Sequence, residues 1–199
     1  MTNIKCKCGA VEIALKPNAN GTRVQCYCES CRGFAKVMNA GEQFLNPKGG
    51  VEIYQTTPDE VEILQGKENI AASSIKDGGL VRWHCNKCQT PLTNSMPKSG
   101  VPFMGIVLPV DMHLPKASEL GNKIKAIHQY HARPNNDGSG KNNQGFHHII
   151  WGMFSRVMTK LLTGKARKSD WHEGKDWIAK ARVLPKSERD ALYESAKTL

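Results

Sequence analysis

Three cysteines fall within six residues, Cys26-Tyr27-Cys28-Glu29-Ser30-Cys31, and two pairs stand far from each other along the chain, Cys6-Lys7-Cys8 and Cys85-Asn86-Lys87-Cys88. These seven are all the cysteines there are. The count is odd and a C-x-C pair cannot easily bridge to itself, which argues against a disulfide framework and for metal ligands. The two pairs supply four thiolates, enough to close a tetrahedral zinc site and staple two remote segments. The triplet supplies three and leaves a fourth position for water, a histidine or an incoming thiol. Three thiolates on Zn²⁺ leave the site with one net negative charge and make the ion a weak Lewis acid. A soft sulfur ligand, held deprotonated, suits it better than water.

The reading is therefore of two zincs: a structural one at Cys6, Cys8, Cys85 and Cys88, and one with an open position at Cys26, Cys28 and Cys31, the expected catalytic residues. The alternative makes the triplet a second structural site completed by a histidine. His84 adjoins Cys85, and His128 and His131 are three apart, so on a strand only one of them would point at a given site. His147-His148 has no matching ligand spacing. Thiol redox chemistry is the weaker reading, since no thioredoxin-like C-x-x-C opening a helix after a strand is expected.

Short strands must carry these ligands. Val11, Ile13 and Leu15 alternate with polar residues or alanine up to Pro17, and Thr22 to Gln25 lead into the triplet, so a hairpin is expected with Cys6 and Cys8 before one strand and Cys26 ending the other. Further strands are expected over Val51–Gln55, Val61–Leu64, Ile70–Ile75, Leu80–His84, the stretch after Pro91, Val101–Val110 and Ile124–Tyr130, with one helical turn around Ala117 to Leu120. Residues 133–145 contain no large apolar side chain and read as a flexible loop. After it the period changes. Ile150, Phe154, Val157, Met158, Leu161 and Leu162 fall at helical spacing with Gly164 as a stop, and a last helix follows Pro185, with Ser187 and Asp190 as a capping-box-like start.

The 199 residues, 39% of them hydrophobic, suffice for one domain with an extension: a zinc-binding β domain over 1–132, the loop, and a helical extension over 146–199. No apolar run approaches the roughly 20 residues that span a bilayer, and the first cysteine comes too soon for a signal peptide, so a cytoplasmic protein without a membrane partner is expected. The formal charge is +10, and seven thiolates holding two dications remove three charges to leave +7. Eleven of the Lys and Arg residues and six of the Asp and Glu residues lie from Phe146 onward, so the tail is the more basic part. A docked helix with a solvated basic back is the expectation for it, ahead of a membrane-surface or nucleic-acid contact.

The order Cys6, Cys8, Gly9, Val11, then Cys26, Cys28, Cys31, Arg32, then Cys85 and Cys88 resembles the glutathione-dependent formaldehyde-activating enzyme and centromere protein V family over roughly residues 4 to 130. That resemblance implies a mainly β, zinc-stapled, β-tent-like (Mss4-like) fold of short antiparallel strands, here with a C-terminal α-helical extension. It also implies a structural zinc at the outer pairs and a catalytic zinc at the triplet. The implied activity is that of a carbon–sulfur lyase joining glutathione, or a similar small thiol, to formaldehyde or a similar aldehyde. The glutathione sulfur would be bound at the triplet zinc and attack the aldehyde carbon. Tyr27 stands where the family often has histidine, and the segment from Phe146 is an addition to the minimal domain. Arg32, Lys36 and Lys87 are the cations near the motifs that could hold glutathione carboxylates, although for each taken singly a simple solvated charge is the expectation. The rival reading is a non-enzymatic zinc module that binds an anionic partner such as nucleic acid through its basic surface.

Overall fold

The structure, a computed structural model, describes residues 2–38, 40–110, 125–127 and 146–197. Within them β1 (Thr2–Lys5), β2 (Glu12–Leu15) and β5 (Val61–Gln65) form a three-stranded antiparallel sheet in the order β1-β2-β5. An eight-stranded sheet is built from β3 (Thr22–Cys26), β4 (Val51–Thr56), β6 (Ile70–Ser74), β7 (Val81–Cys85), β8 (Pro91–Ser95), β9 (Met104–Leu108), β10 (Lys125–Ile127) and β13 (Arg182–Val183). Its order is β10-β3-β4-β9-β8-β7-β6-β13, antiparallel except that the edge strands β10 and β13 run parallel to their neighbours. A two-stranded ribbon joins β11 (His172–Glu173) to β12 (Asp176–Trp177). The helices are α1 (Glu29–Val37), α2 (Gly41–Phe44), α3 (Phe146–Leu162) and α4 (Lys186–Lys197). The fold is mainly β with antiparallel sheets and a C-terminal helix, as the alternation in the sequence requires.

The expected hairpin of the first two cysteine-bearing strands does not form. β2 pairs with β1 and β5 in the small sheet, whereas β3 pairs with β4 and β10 in the large one. Alternation identifies a strand's buried face but not its neighbour. The expected helical turn at Ala117 to Leu120, the loop 133–145 and all but 125–127 of the Ile124–Tyr130 strand lie outside the described residues.

The large sheet is buried on both faces, which is why β9 reads as an unbroken apolar run with every residue buried. One face, with Tyr54, Trp83, Met104 and Ile106, packs with Ile13, Val61 and Trp171. The other, with Ile53 and Val107, packs under α1, α2 and α4 through Phe34, Ala35, Phe44 and Leu192. Each face also carries one cysteine cluster: Cys6 and Cys85 belong to the first core, Cys26 and Cys31 to the second. The C-terminal segment contributes to both cores, through Trp171 to one and Leu184 and Leu192 to the other.

The packing of α1 on α4 depends on Gly33. A Cβ there would lie 2.4 Å from the backbone oxygen of Leu192. Alanine would gain up to about 1 kcal/mol in helix propensity, but against a backbone atom that cannot rotate away the helices must separate, at about 1–3 kcal/mol. Gly33→Ala is thus expected to lower the thermal midpoint; a rise would show that α4 does not seat on α1. Lys36 Nζ donates to Ser195 O at 2.9 Å and Arg32 Nη1 to Ala196 O at 3.4 Å, so two α1 cations face the negative end of the α4 dipole.

Candidate metal centres

The four-cysteine cluster sits where two tight turns meet. Cys6 follows β1, and the chain folds back so that Cys6 N–H donates to Val11 O at 3.0 Å and Gly9, at φ 73°, donates to Cys6 O. Cys85 ends β7, and the turn through Cys88 closes when Gln89, at φ 59°, donates to Cys85 O at 2.9 Å. The sulfurs of Cys6, Cys8, Cys85 and Cys88 all lie within 4.8 Å of one another. Val11 N–H donates to Cys6 Sγ at 3.2 Å. Thr90 links the turns: its Oγ1 accepts from Lys7 N–H at 3.0 Å and stands 3.1 Å from Cys88 Sγ. Burial raises the Cys88 thiol, but the Thr90 hydroxyl and neighbouring N–H groups outweigh it and bring it down to about 6. Cys85 is pushed up to about 12, chiefly by burial.

Four crowded thiols resist ionising together, and a divalent ion would ionise them all. The donor set fits a soft metal ion in a closed site.

The triplet is assembled by a strand end and a helix start. Cys26 closes β3, Cys28 is the residue before α1 with extended ψ of 145°, and Cys31 lies in the first turn, its N–H donating to Cys28 O at 3.1 Å. The expectation that no C-x-x-C opens a helix after a strand is therefore corrected: Cys28 to Cys31 does so, with Cys26 as a third thiol 3.4 Å from Cys28. A nine-residue helix led by two cysteines is too short for its periodicity to separate it from a metal knuckle.

All three sulfurs lie within 4.8 Å of one another. Arg82 comes from β7 across the sheet, with Nη1 and Nη2 each 3.9 Å from Cys31 Sγ and Nη1 3.5 Å from Asn94 Oδ1, its guanidinium 5.0 Å over the Phe34 ring. Hydrogen bonds from Cys26 and Cys28 hold the Cys31 thiol well below the usual cysteine range, and Arg82 adds to the effect. The bond from Cys26 lowers Cys28, but its bond to Cys31 and burial prevail and raise it to about 12. The triplet also suits a soft metal ion.

What separates the two clusters is access. Cys26, Cys28 and Cys31 open into a cavity of about 360 Å³, within the size range of small-molecule sites. Its floor includes one cross-strand row of the large sheet, in which Arg82 on β7, Asn94 on β8, Gly105 on β9 and Gln55 on β4 are successive partners. Gly105 leaves the row open between two amide side chains, and Gln55 Oε1 is buried with no hydrogen-bond partner. From α4, Tyr193 forms part of the wall with its hydroxyl 3.4 Å from Ser30 Oγ. Among the described residues no histidine, cysteine or carboxylate joins the three sulfurs.

A family model matches residues 1–182. The chain belongs to DUF6151, a family of unknown function. The DUF6151 match takes in both cysteine clusters and the whole polar row but stops before Tyr193. The chain is also similar to a crystal structure of a Rhodobacter sphaeroides protein, at 18% identity over 64% of this chain and 100% of that one, with a TM-score of 0.41. No curated protein matches.

Of the residues singled out in this DUF6151 sequence, all seven cysteines are brought together as two groups. The cations are not. Arg32 is buried and donates to Gly49 O and Tyr27 O as well as to α4, Lys36 is engaged with Ser195 O, and Lys87 lies exposed on the four-cysteine turn. None of these three lines the cavity: its cations are Arg82, beside the triplet, and Lys76. The signal for Arg82 was an arginine inside an otherwise core-like strand, Val81-Arg82-Trp83-His84-Cys85, where strand alternation turns it away from Trp83. Asn94, Gln55 and Tyr193 gave no such signal. His84 is committed to Ser73 Oγ at 3.1 Å, and burial lowers its pKa. His147 and His148 lie exposed on α3, and His128 and His131 fall outside the described residues.

Proposed function

We propose that the chain is a zinc-dependent carbon–sulfur lyase-type enzyme that makes or breaks the adduct of a small, glutathione-like thiol with a formaldehyde-like aldehyde at Cys26, Cys28 and Cys31. Cys6, Cys8, Cys85 and Cys88 hold a second, closed zinc that ties the β1–β2 turn to the β7–β8 turn in a β-tent-like domain. The observation that carries this reading is the asymmetry of the clusters, four sulfurs in a closed site against three that line a cavity. The resemblance of all seven cysteines to the formaldehyde-activating family supports it.

Zinc at the triplet would supply a soft position where a fourth sulfur stays deprotonated near neutral pH. The chain's own residues do the rest. Addition forms the C–S bond and breaks the C=O π bond, and the proton lost by the thiol ends on the former carbonyl oxygen, with no net oxidation. Arg82, held by Asn94 and Phe34, is a fixed cation facing the oxygen as its charge develops. Asn94 and Gln55 offer amides that orient the ligand from the floor, and Ile53, Ile75, Leu80 and Phe103 form the apolar part of the lining. Against the polymer-binding alternative, several surface cations are already in ion pairs, including Lys5 with Glu12, Lys16 with Glu62 and Arg182 with Glu188.

The test is exchange between glutathione, ¹³C-formaldehyde and S-hydroxymethylglutathione followed by NMR. The zinc-loaded protein is expected to accelerate exchange well above buffer, and Arg82→Gln to lose about 10²-fold, the order found on removing one charge-stabilising donor. Exchange at the buffer rate by a protein holding two zincs would sink the proposal.

A further inference from the structure

α3 is mounted the opposite way round from the expected docked helix. The side chains it turns into the protein include Ile149, 3% exposed, but also Arg156, 8% exposed, and Lys160. Lys160 Nζ donates to Asp59 Oδ2 at 2.5 Å and Glu60 Oε1 at 2.8 Å. Four of the six residues of the apolar stripe that the sequence suggested would dock instead face outward, Leu162 at 81% exposure, Phe154 at 52%, Leu161 at 45% and Ile150 at 43%, with Val157 and Met158 half-buried, and Trp151 beside them is 70% exposed. At about 100° per residue these five fall within an arc of about 120°. The long-range pairing of Lys160 with two carboxylates decides which side faces inward, and periodicity alone cannot show it.

An apolar helix face left in water marks a contact surface. We infer that this face of α3 docks the protein onto an anionic lipid surface, lying in the interface. Among the described residues no helix is long and apolar enough to cross a membrane. Charge selects the occupant. From Phe146 through Ser169 the sequence contains no aspartate or glutamate, and exposed Lys165, Arg167 and Lys168 directly follow the stripe. The next acid, Asp170, accepts the Ile63 N–H at 3.0 Å. A second copy would bring no aspartate or glutamate from its own residues 146–169 to pair with these cations, whereas anionic headgroups neutralise them while the acyl boundary takes Trp151 and Phe154, whose rings lie 6.0 Å apart.

The experiment uses the zinc-loaded full chain with vesicles of phosphatidylcholine alone or of equimolar phosphatidylcholine and phosphatidylglycerol, read by co-sedimentation and tryptophan emission. Trp151 is a usable reporter because the other three tryptophans, Trp83, Trp171 and Trp177, sit together in one core. The expected result is at least about tenfold stronger binding to the anionic vesicles, reversed by salt, with a blue shift. Trp151→Ser with Phe154→Ser is expected to abolish binding, and neutralising Lys165, Arg167 and Lys168 to abolish the preference, both with zinc content and melting temperature unchanged. No binding to either vesicle overturns the inference, as does equal binding to both. It is equally overturned by a dimer that the Trp151→Ser, Phe154→Ser variant dissociates in the absence of vesicle binding, and by a Trp151 shielded from acrylamide in free protein because residues 111–124 and 128–145 cover it.

Discussion

Replacing Cys8 by serine is expected to unfold the protein, although Cys8 is exposed and its side chain fills no core. Its sulfur lies 3.5 Å from Cys6 Sγ and 3.8 Å from Cys85 Sγ, in the cluster that joins the small sheet to the large one. Binding at such a site contributes on the order of 10 kcal/mol of apparent folding free energy, against a net stability of about 5–15 kcal/mol for a domain. One lost ligand therefore removes a large share of the margin. Cys85→Ser should do the same but is less diagnostic, because Cys85 is fully buried in the first core and its loss also disturbs packing. Circular dichroism and zinc content of Cys8→Ser, beside wild type treated with a strong chelator, give the comparison. Both should lose the cooperative melt. A Cys8→Ser protein that melts like wild type would mean that the four-cysteine cluster does not hold the fold.

The second large effect is on activity with the fold intact. Cys28→Ser should lower the zinc ratio from two to one and reduce thiol–aldehyde exchange by about 10³-fold or more, as expected for losing a ligand of the reacting centre. The melt should stay cooperative and lose less than in Cys8→Ser, because the three sulfurs come from one short stretch of chain and tie no remote segments together. Cys28 is only partly buried, and it occupies the cap position of α1 without making a side-chain cap bond. Serine is among the favoured residues there, so the helix start is supported as the metal ligand is lost. Cys31→Ser is the poorer choice: it would leave buried Arg82 without the sulfur it faces. A Cys28→Ser protein with two zincs and full exchange would place the chemistry elsewhere.

The sequence disclosed the cysteine grouping because metal-ligand spacing is a local property of short motifs, and the strands because alternation over four or five residues is local too. The residues that give the triplet its setting were hidden for a common reason. Arg82 reaches Cys31 from 51 positions away, and Tyr193 meets Ser30 from 163 away. No local pattern encodes such meetings. The inverted seating of α3 belongs to the same class, since it depends on Lys160 finding Asp59 and Glu60 about a hundred residues back. The start of α1 escaped the sequence reading because its first turn has the cysteine spacing of a metal knuckle.

The central claim is that the two clusters hold metal differently, one closed and one open to a thiol. The most direct test is the zinc-to-protein ratio of the purified chain before and after mild chelation, with excess glutathione added to half the sample. The account predicts two zincs per chain, one of which leaves readily and whose release glutathione alters. A single zinc, or two that resist the chelator equally and ignore glutathione, would contradict it.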